Sequence, residues 1–92
     1  MYHEPLEKLS AETLDKNRAS QSLREELEAV EWYQQRIDAT TDEDLKRILE
    51  HNRDEEKEHA AMLIEYLRRK DAEFAKELKE NLFTEKALGH HD

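Results

Sequence analysis

Glu56 and His59 stand three residues apart in the stretch HNRDEEKEHAAM, His51 to Met62. On a helix, Glu-x-x-His places a carboxylate and an imidazole on one face about one turn apart, so both can reach one metal ion. The chain contains one such pair. A dinuclear carboxylate site in a four-helix bundle takes two such pairs and two further Glu. The sequence therefore carries half of a site or none, and the first reading requires two copies of the chain to meet.

The elements that must position this pair are helices. The first nine residues, with Pro5 and the alternating Leu6 and Leu9, read as an extended or loosely ordered arm. Ser10 is an N-cap candidate with Glu12 in the first turn behind it, and no breaker follows until Ala39-Thr40-Thr41, which predicts helix one over 11–38. Thr41 can cap helix two over 42–70, with Asp42, Glu43 and Asp44 in the positive first turn and Arg68, Arg69 and Lys70 at the negative end. Asp71 can cap a shorter helix over 72–83, where Phe74, Leu78 and Leu82 recur every four residues, before a polar tail over 86–92 containing His90 and His91. Two helices of near-equal length joined by so short a link form an antiparallel hairpin. Glu26 lies about fourteen residues before the fold point and Glu56 about sixteen after it, so they stand at similar height.

At about 100° per residue, Leu45, Ile48, Leu49, Asn52, Glu56, His59, Ala60, Leu63, Tyr66 and Leu67 fall within roughly 60° of one line on helix two. On helix one, Leu23, Leu27, Val30 and Ile37 define a similar line, with Glu26 and Tyr33 on its flank. Carboxylates on an apolar seam need compensation, because removing an ionised group from water is costly unless it is paired, hydrogen-bonded or bound to a metal. A buried Glu–His pair, or a polar layer that fixes the register of a helical dimer, would satisfy the same pattern. Two chains would bring four carboxylates, from Glu26 and Glu56, and two neutral imidazoles from His59, a charge match for two divalent ions. That mixed set suits iron or manganese, with zinc, copper or calcium able to substitute.

The 92-residue chain is one small domain, near the size at which oligomerisation supplies missing burial. Its 42% charged and 36% hydrophobic residues, with single Gly and Pro residues, make a helical composition. The net charge of -9 disfavours nucleic acid and anionic membranes as partners and favours cations. Without Cys, thiolate zinc, iron–sulfur clusters and disulfides are excluded. No stretch reads as a signal peptide or membrane span, so a soluble protein is expected.

The run EELEAVEWYQQRIDA, Glu25 to Ala39, followed by HNRDEEKEHAAM and by LRRKDAEFAKELKENLFTE, Leu67 to Glu85, closely resembles the encapsulated ferritins, over most of the chain from His3-Glu4-Pro5 onward. The resemblance implies an all-α fold: a two-helix hairpin with a short third helix, completing ferritin-like four-helix bundles by dimerisation and assembled as a ring-shaped decamer of five dimers. It further implies a ferroxidase with a diiron centre at the subunit interface, built from Glu26, Glu56 and His59 of both chains with Tyr33 close by. Glu25 and Glu28 would line an acidic entrance for metal beside Trp32; read from the helical wheel alone, that face is solvated and Trp32 is a lone aromatic or a second interface. His51 lies off the stripe, either a transient metal contact or a surface histidine. Such proteins are iron-oxidising cargo of an encapsulin shell, which places this chain in the cytoplasm inside a nanocompartment. Shell cargo usually ends in a short apolar targeting peptide, and 86–92 shows none, which points to a trimmed chain or to a natural fusion with the shell protein. Two rival readings use the same residues: a rubrerythrin-like peroxidase, for which the cysteines of a rubredoxin domain are missing, and a non-catalytic helical dimer with a Glu/His polar layer.

Overall fold

The computed structural model describes residues 2–89, so His90 and His91 lie outside the described residues. A 3-10 turn, Leu6–Lys8, interrupts the N-terminal arm, and three helices follow: α1 (Ala11–Ala39), α2 (Glu43–Lys70) and α3 (Ala72–Asn81). There is no strand among the described residues. Among the described residues no helix is long and apolar enough to cross a membrane.

Each helix begins where a side chain satisfies its free N–H groups. Ser10 Oγ accepts from the Thr13 N–H at 3.0 Å, and Asp71 Oδ1 accepts from the Phe74 N–H at 3.0 Å. The cap of α2 differs from the one expected: Asp42, not Thr41, holds the position, with Oδ1 accepting from Asp44 N at 2.9 Å and Leu45 N at 3.0 Å. A carboxylate serves two donors at once and carries the charge that the positive helix end attracts, which a threonine hydroxyl does not. The Asp42 N–H donates in turn to Thr40 Oγ1, tightening the turn between the helices. α1 runs one residue past the expected end, to Ala39, where the Thr40 N–H still reaches the Arg36 carbonyl. α3 stops two residues early. Leu82 turns extended (φ -98, ψ 150) and Phe83 takes a positive φ of 54, while Asn81 Nδ2 donates back to the Glu77 carbonyl. Phe83 is fully exposed, so no packing holds it in the helix.

α1 and α2 pack antiparallel along their length, and α3 packs on α2. The dry seam is thin: Ala19, Ile37, Leu49, Ala60 and Leu67 are its buried members. Other residues of the expected stripes remain half-exposed, notably Leu27, Leu45 and Ile48, because two helices share a single seam and leave the flanking positions without a second layer. The radius of gyration, 17.2 Å, exceeds the ~12 Å of a compact domain of this length. The accessible surface of 7673 Å² is about 2,000 Å² above that of a compact monomer of this mass. An excess of that size is comparable to what obligate interfaces bury.

The charged exterior is organised by local pairs. Arg68 grips Glu65 with Nε and Nη2 at 2.6 and 2.7 Å, and Arg69 Nε adds a third bond at 2.7 Å. These donors, Arg68 first, hold the Glu65 carboxyl at about 2, far below its ordinary value. A depressed folded value means that the grip contributes in full above the unfolded-state pKa near 4.5 and is lost progressively as pH falls from there through about 2. An NMR titration of the Glu65 carboxyl should give a midpoint of about 2 in wild type, moving back toward the ordinary range in Arg68→Met. Independently, Asp42→Ala should cost about 1 kcal/mol of stability and several degrees of melting temperature, with Thr41→Ala near neutral, measured by circular dichroism at one protein concentration.

Candidate metal centre

One helical turn on α2 separates Glu56 from His59, and the short turn between the helices brings Glu26 of α1 level with them. The three converge as the sequence spacing anticipates. One ligand atom from each lies within 4.8 Å of the others, the single such group among the described residues. His59 Nδ1 stands 3.5 Å from Glu26 Oε2 and 3.5 Å from Glu56 Oε2. Both carboxylate side chains are about one-quarter exposed, and the imidazole is more open.

A separation of 3.5 Å is too long for a well-formed hydrogen bond. Ligand atoms about 2 Å from a common ion stand about 3 Å apart, so this spacing is close to that of a metal-binding set. Glu26 Oε2 makes the stronger point. It is sealed from solvent, with no hydrogen-bond partner, although the side chain as a whole is partly open. A buried carboxylate oxygen without a donor is an expensive group. Its chemistry is answered by a cation in contact with it, and the donor set of two carboxylates and one imidazole fits a divalent transition metal. Beside the trio an open cleft of ≈ 510 Å³ is lined by Ala19, Met62, Leu63 and Tyr66, with Glu26 and His59 at its wall.

The remaining candidates lie apart from this trio. Tyr33 sits two turns beyond Glu26 on α1, half-buried, with the Arg36 guanidinium 5.6 Å from its ring centroid. Within one chain it makes no hydrogen bond to the trio among the described residues. Glu25 and Glu28 are exposed on the opposite side of α1, where Gln21 Nε2 donates to Glu25 at 3.2 Å, and Trp32 is half-exposed one turn further on. His51 is solvent-facing, with Nε2 3.5 Å from Glu55 rather than from the trio. Sequence reasoning passed over Arg53, whose guanidinium reaches across from α2 to Gln34 on α1. The signal was its place one turn before Glu56, on a helix whose other arginines pair within their own helix.

A family model described as EncFtn-like matches residues 1–85. The chain is 63% identical over 83 residues to an encapsulated ferritin-like protein of Rhodospirillum rubrum, covering 90% of this chain and 59% of that protein. It is 53% identical over 87 residues to a ferritin-like protein of Thermotoga maritima, covering 95% of this chain and 76% of that one. An encapsulin nanocompartment cargo protein of Myxococcus xanthus is 48% identical over 59 residues, which cover 64% of this chain and 45% of that protein. The crystal structure of a Nitrosomonas europaea protein superposes with a TM-score of 0.91 at 62% identity, over 97% of this chain and 98% of that one.

The orphaned oxygen makes a testable statement about the metal-free protein. Glu26→Leu should leave the metal-free chain more stable by about 1 kcal/mol, since an unsatisfied acceptor is replaced by an apolar group. The same variant should lose the rise in melting temperature that divalent metal gives wild type, both read by calorimetry with and without Mn(II).

Proposed function

The chain belongs to the EncFtn-like family of encapsulated ferritin-like proteins, and from that premise we propose that it is a ferroxidase, oxidising Fe(II) to Fe(III) at a diiron site shared by two copies of the chain. The observation that carries this reading is the meeting of Glu26, Glu56 and His59 around a sealed carboxylate oxygen that has no protein partner. Iron is the substrate here: each Fe(II) gives up one electron to an oxidant and becomes Fe(III).

The residues divide the work by their chemistry. Glu26 and Glu56 supply two negative charges per chain, so a pair of chains offers four, and these favour the more highly charged product over Fe(II). His59 supplies a neutral nitrogen ligand. Tyr33, brought near by a neighbouring copy, would orient a ligand by a hydrogen bond. Glu25 and Glu28 beside Trp32 would collect incoming cations on the outer face of α1. Pairing also answers the uncovered Leu27, Leu45 and Ile48, whose burial in a four-helix bundle is the chief gain from association. Five such pairs would close into a ring, and the relative named as encapsulin nanocompartment cargo supports residence inside a shell in the cytoplasm, where the shell, not this open hairpin, would hold the stored iron.

Stopped-flow Fe(II) oxidation tests the assignment, on variants whose oligomeric mass matches wild type by light scattering. Glu26→Ala, Glu56→Ala and His59→Ala should each slow oxidation more than about tenfold, and Glu55→Ala and Glu58→Ala, which point elsewhere on α2, should stay within about twofold. Equal losses from Glu55→Ala and Glu56→Ala would overturn it.

A further inference from the structure

Among the described residues one side-chain hydrogen bond joins α1 to α2: Arg53 Nη1 donates to Gln34 Oε1 at 2.8 Å. Both partners are held from behind. Gln34 Nε2 donates to Asp38 Oδ1 at 3.0 Å, and Arg53 Nε donates to Asp54 Oδ1 at 3.0 Å. A guanidinium only donates and a carboxylate only accepts, so the Gln34 amide has one orientation that serves both neighbours. The Arg53 side chain is 19% exposed, the most enclosed charged group in these pairs, lying against the seam rather than in solvent.

The rest of the contact between the helices is apolar, from Ala19, Ile37, Leu49, Ala60 and Leu67. Such contacts are non-directional and tolerate sliding and rotation better than a hydrogen bond does. A slip of one residue moves a helix by about 1.5 Å, enough to part Glu26 from His59. Gln34 lies eight residues beyond Glu26 and Arg53 three before Glu56, so the bond sits between the turn at Thr40–Asp42 and the trio. The turn and this bond give the hairpin two fixed points.

We propose that Arg53 and Gln34 are positioning residues whose bond holds α1 and α2 in the register at which Glu26 meets Glu56 and His59, and thereby sets the metal affinity of that trio. The inference rests on the metal-binding reading of the trio, and the experiment separates the two. Co(II) is titrated into the full chain at low temperature, where circular dichroism shows wild type and variants equally helical, with affinity and the Co(II) visible spectrum both recorded. Gln34→Met removes the acceptor at similar size and should weaken Co(II) binding roughly tenfold and shift its absorption bands, as loss of support around metal ligands does. Gln34→Glu gives up the contact with Asp38 but keeps an acceptor for Arg53 between the helices, and should stay within about twofold of wild type, with unchanged bands. A role confined to stability would lower the melting temperature of Gln34→Met while leaving affinity and spectrum intact, and that result overturns the proposal. Equal losses in both variants overturn it too. If wild type binds no Co(II), the metal reading of the trio falls, and the positioning role falls with it.

Discussion

A carboxylate oxygen on Glu26, enclosed between two helices and given no donor by its own chain, is the constraint from which the rest of this molecule follows. Apolar packing places it there. The helix that carries Glu26 must present Ala19 and Ile37 to α2, and Glu26 falls between them on that face, about 20° off their line. His59 and Glu56 approach from the other helix without closing a hydrogen bond, so two carboxyl groups and an imidazole share a small volume. Neutralising such a group inside the chain would have needed one arginine or lysine aimed at it. The guanidinium that reaches across the seam, Arg53, is committed instead to Gln34 and Asp54, and Arg18, which lines the cleft beside Glu26, is paired with Asp15. The arrangement is poised for a cation from outside.

The same thinness of the seam explains why function and association are inseparable in the proposed reading. Two helices can bury one stripe each, and the hairpin leaves Leu27, Leu45, Ile48 and Met62 half-exposed. Burying them against a second hairpin would gain roughly 25 cal/mol per Å² of apolar surface and bring a second trio beside the first. A cation bound by both trios would then stabilise the pair by mass action, because the separate chains offer only half the ligands. Charge would work against association: the chain carries -9, and two such chains would repel unless cations neutralised their carboxylates.

Around this demanding centre the remaining polar chemistry is local and well satisfied. Ser10, Asp42 and Asp71 cap their helices, and most surface ion pairs close within one turn. Such pairs add little to global stability. Their effect is to keep long helices intact in a chain with so small a core, so that the side chains of the trio are presented from rigid elements. The one side-chain hydrogen bond that crosses between α1 and α2 among the described residues is of a different kind, because it constrains their relative placement.

Three helices, the antiparallel hairpin, the shared face of Glu56 and His59, and the level of Glu26 were legible in the sequence. All depend on fixed local geometry: 3.6 residues per turn, 1.5 Å per residue and a link too short to do anything but reverse the chain. What the sequence could not decide were contests between neighbours with similar local merit. Thr41 and Asp42 are both good caps, and the choice fell to the one whose carboxylate could serve two N–H groups once the turn was folded. Leu82 and Phe83 extend the periodicity of α3, yet nothing packs against Phe83 and the helix ends before them. Period alone marked Leu27, Leu45 and Ile48 as core, and tertiary packing left them open because one seam has room for one row from each helix. Helical period likewise set Tyr33 with Glu26 on the flank of the apolar line of α1, but two turns of rise separate it from the trio within a single chain. The sealing of Glu26 Oε2 and the reach of Arg53 to Gln34 appeared only in three dimensions, since each depends on how two surfaces distant in sequence meet.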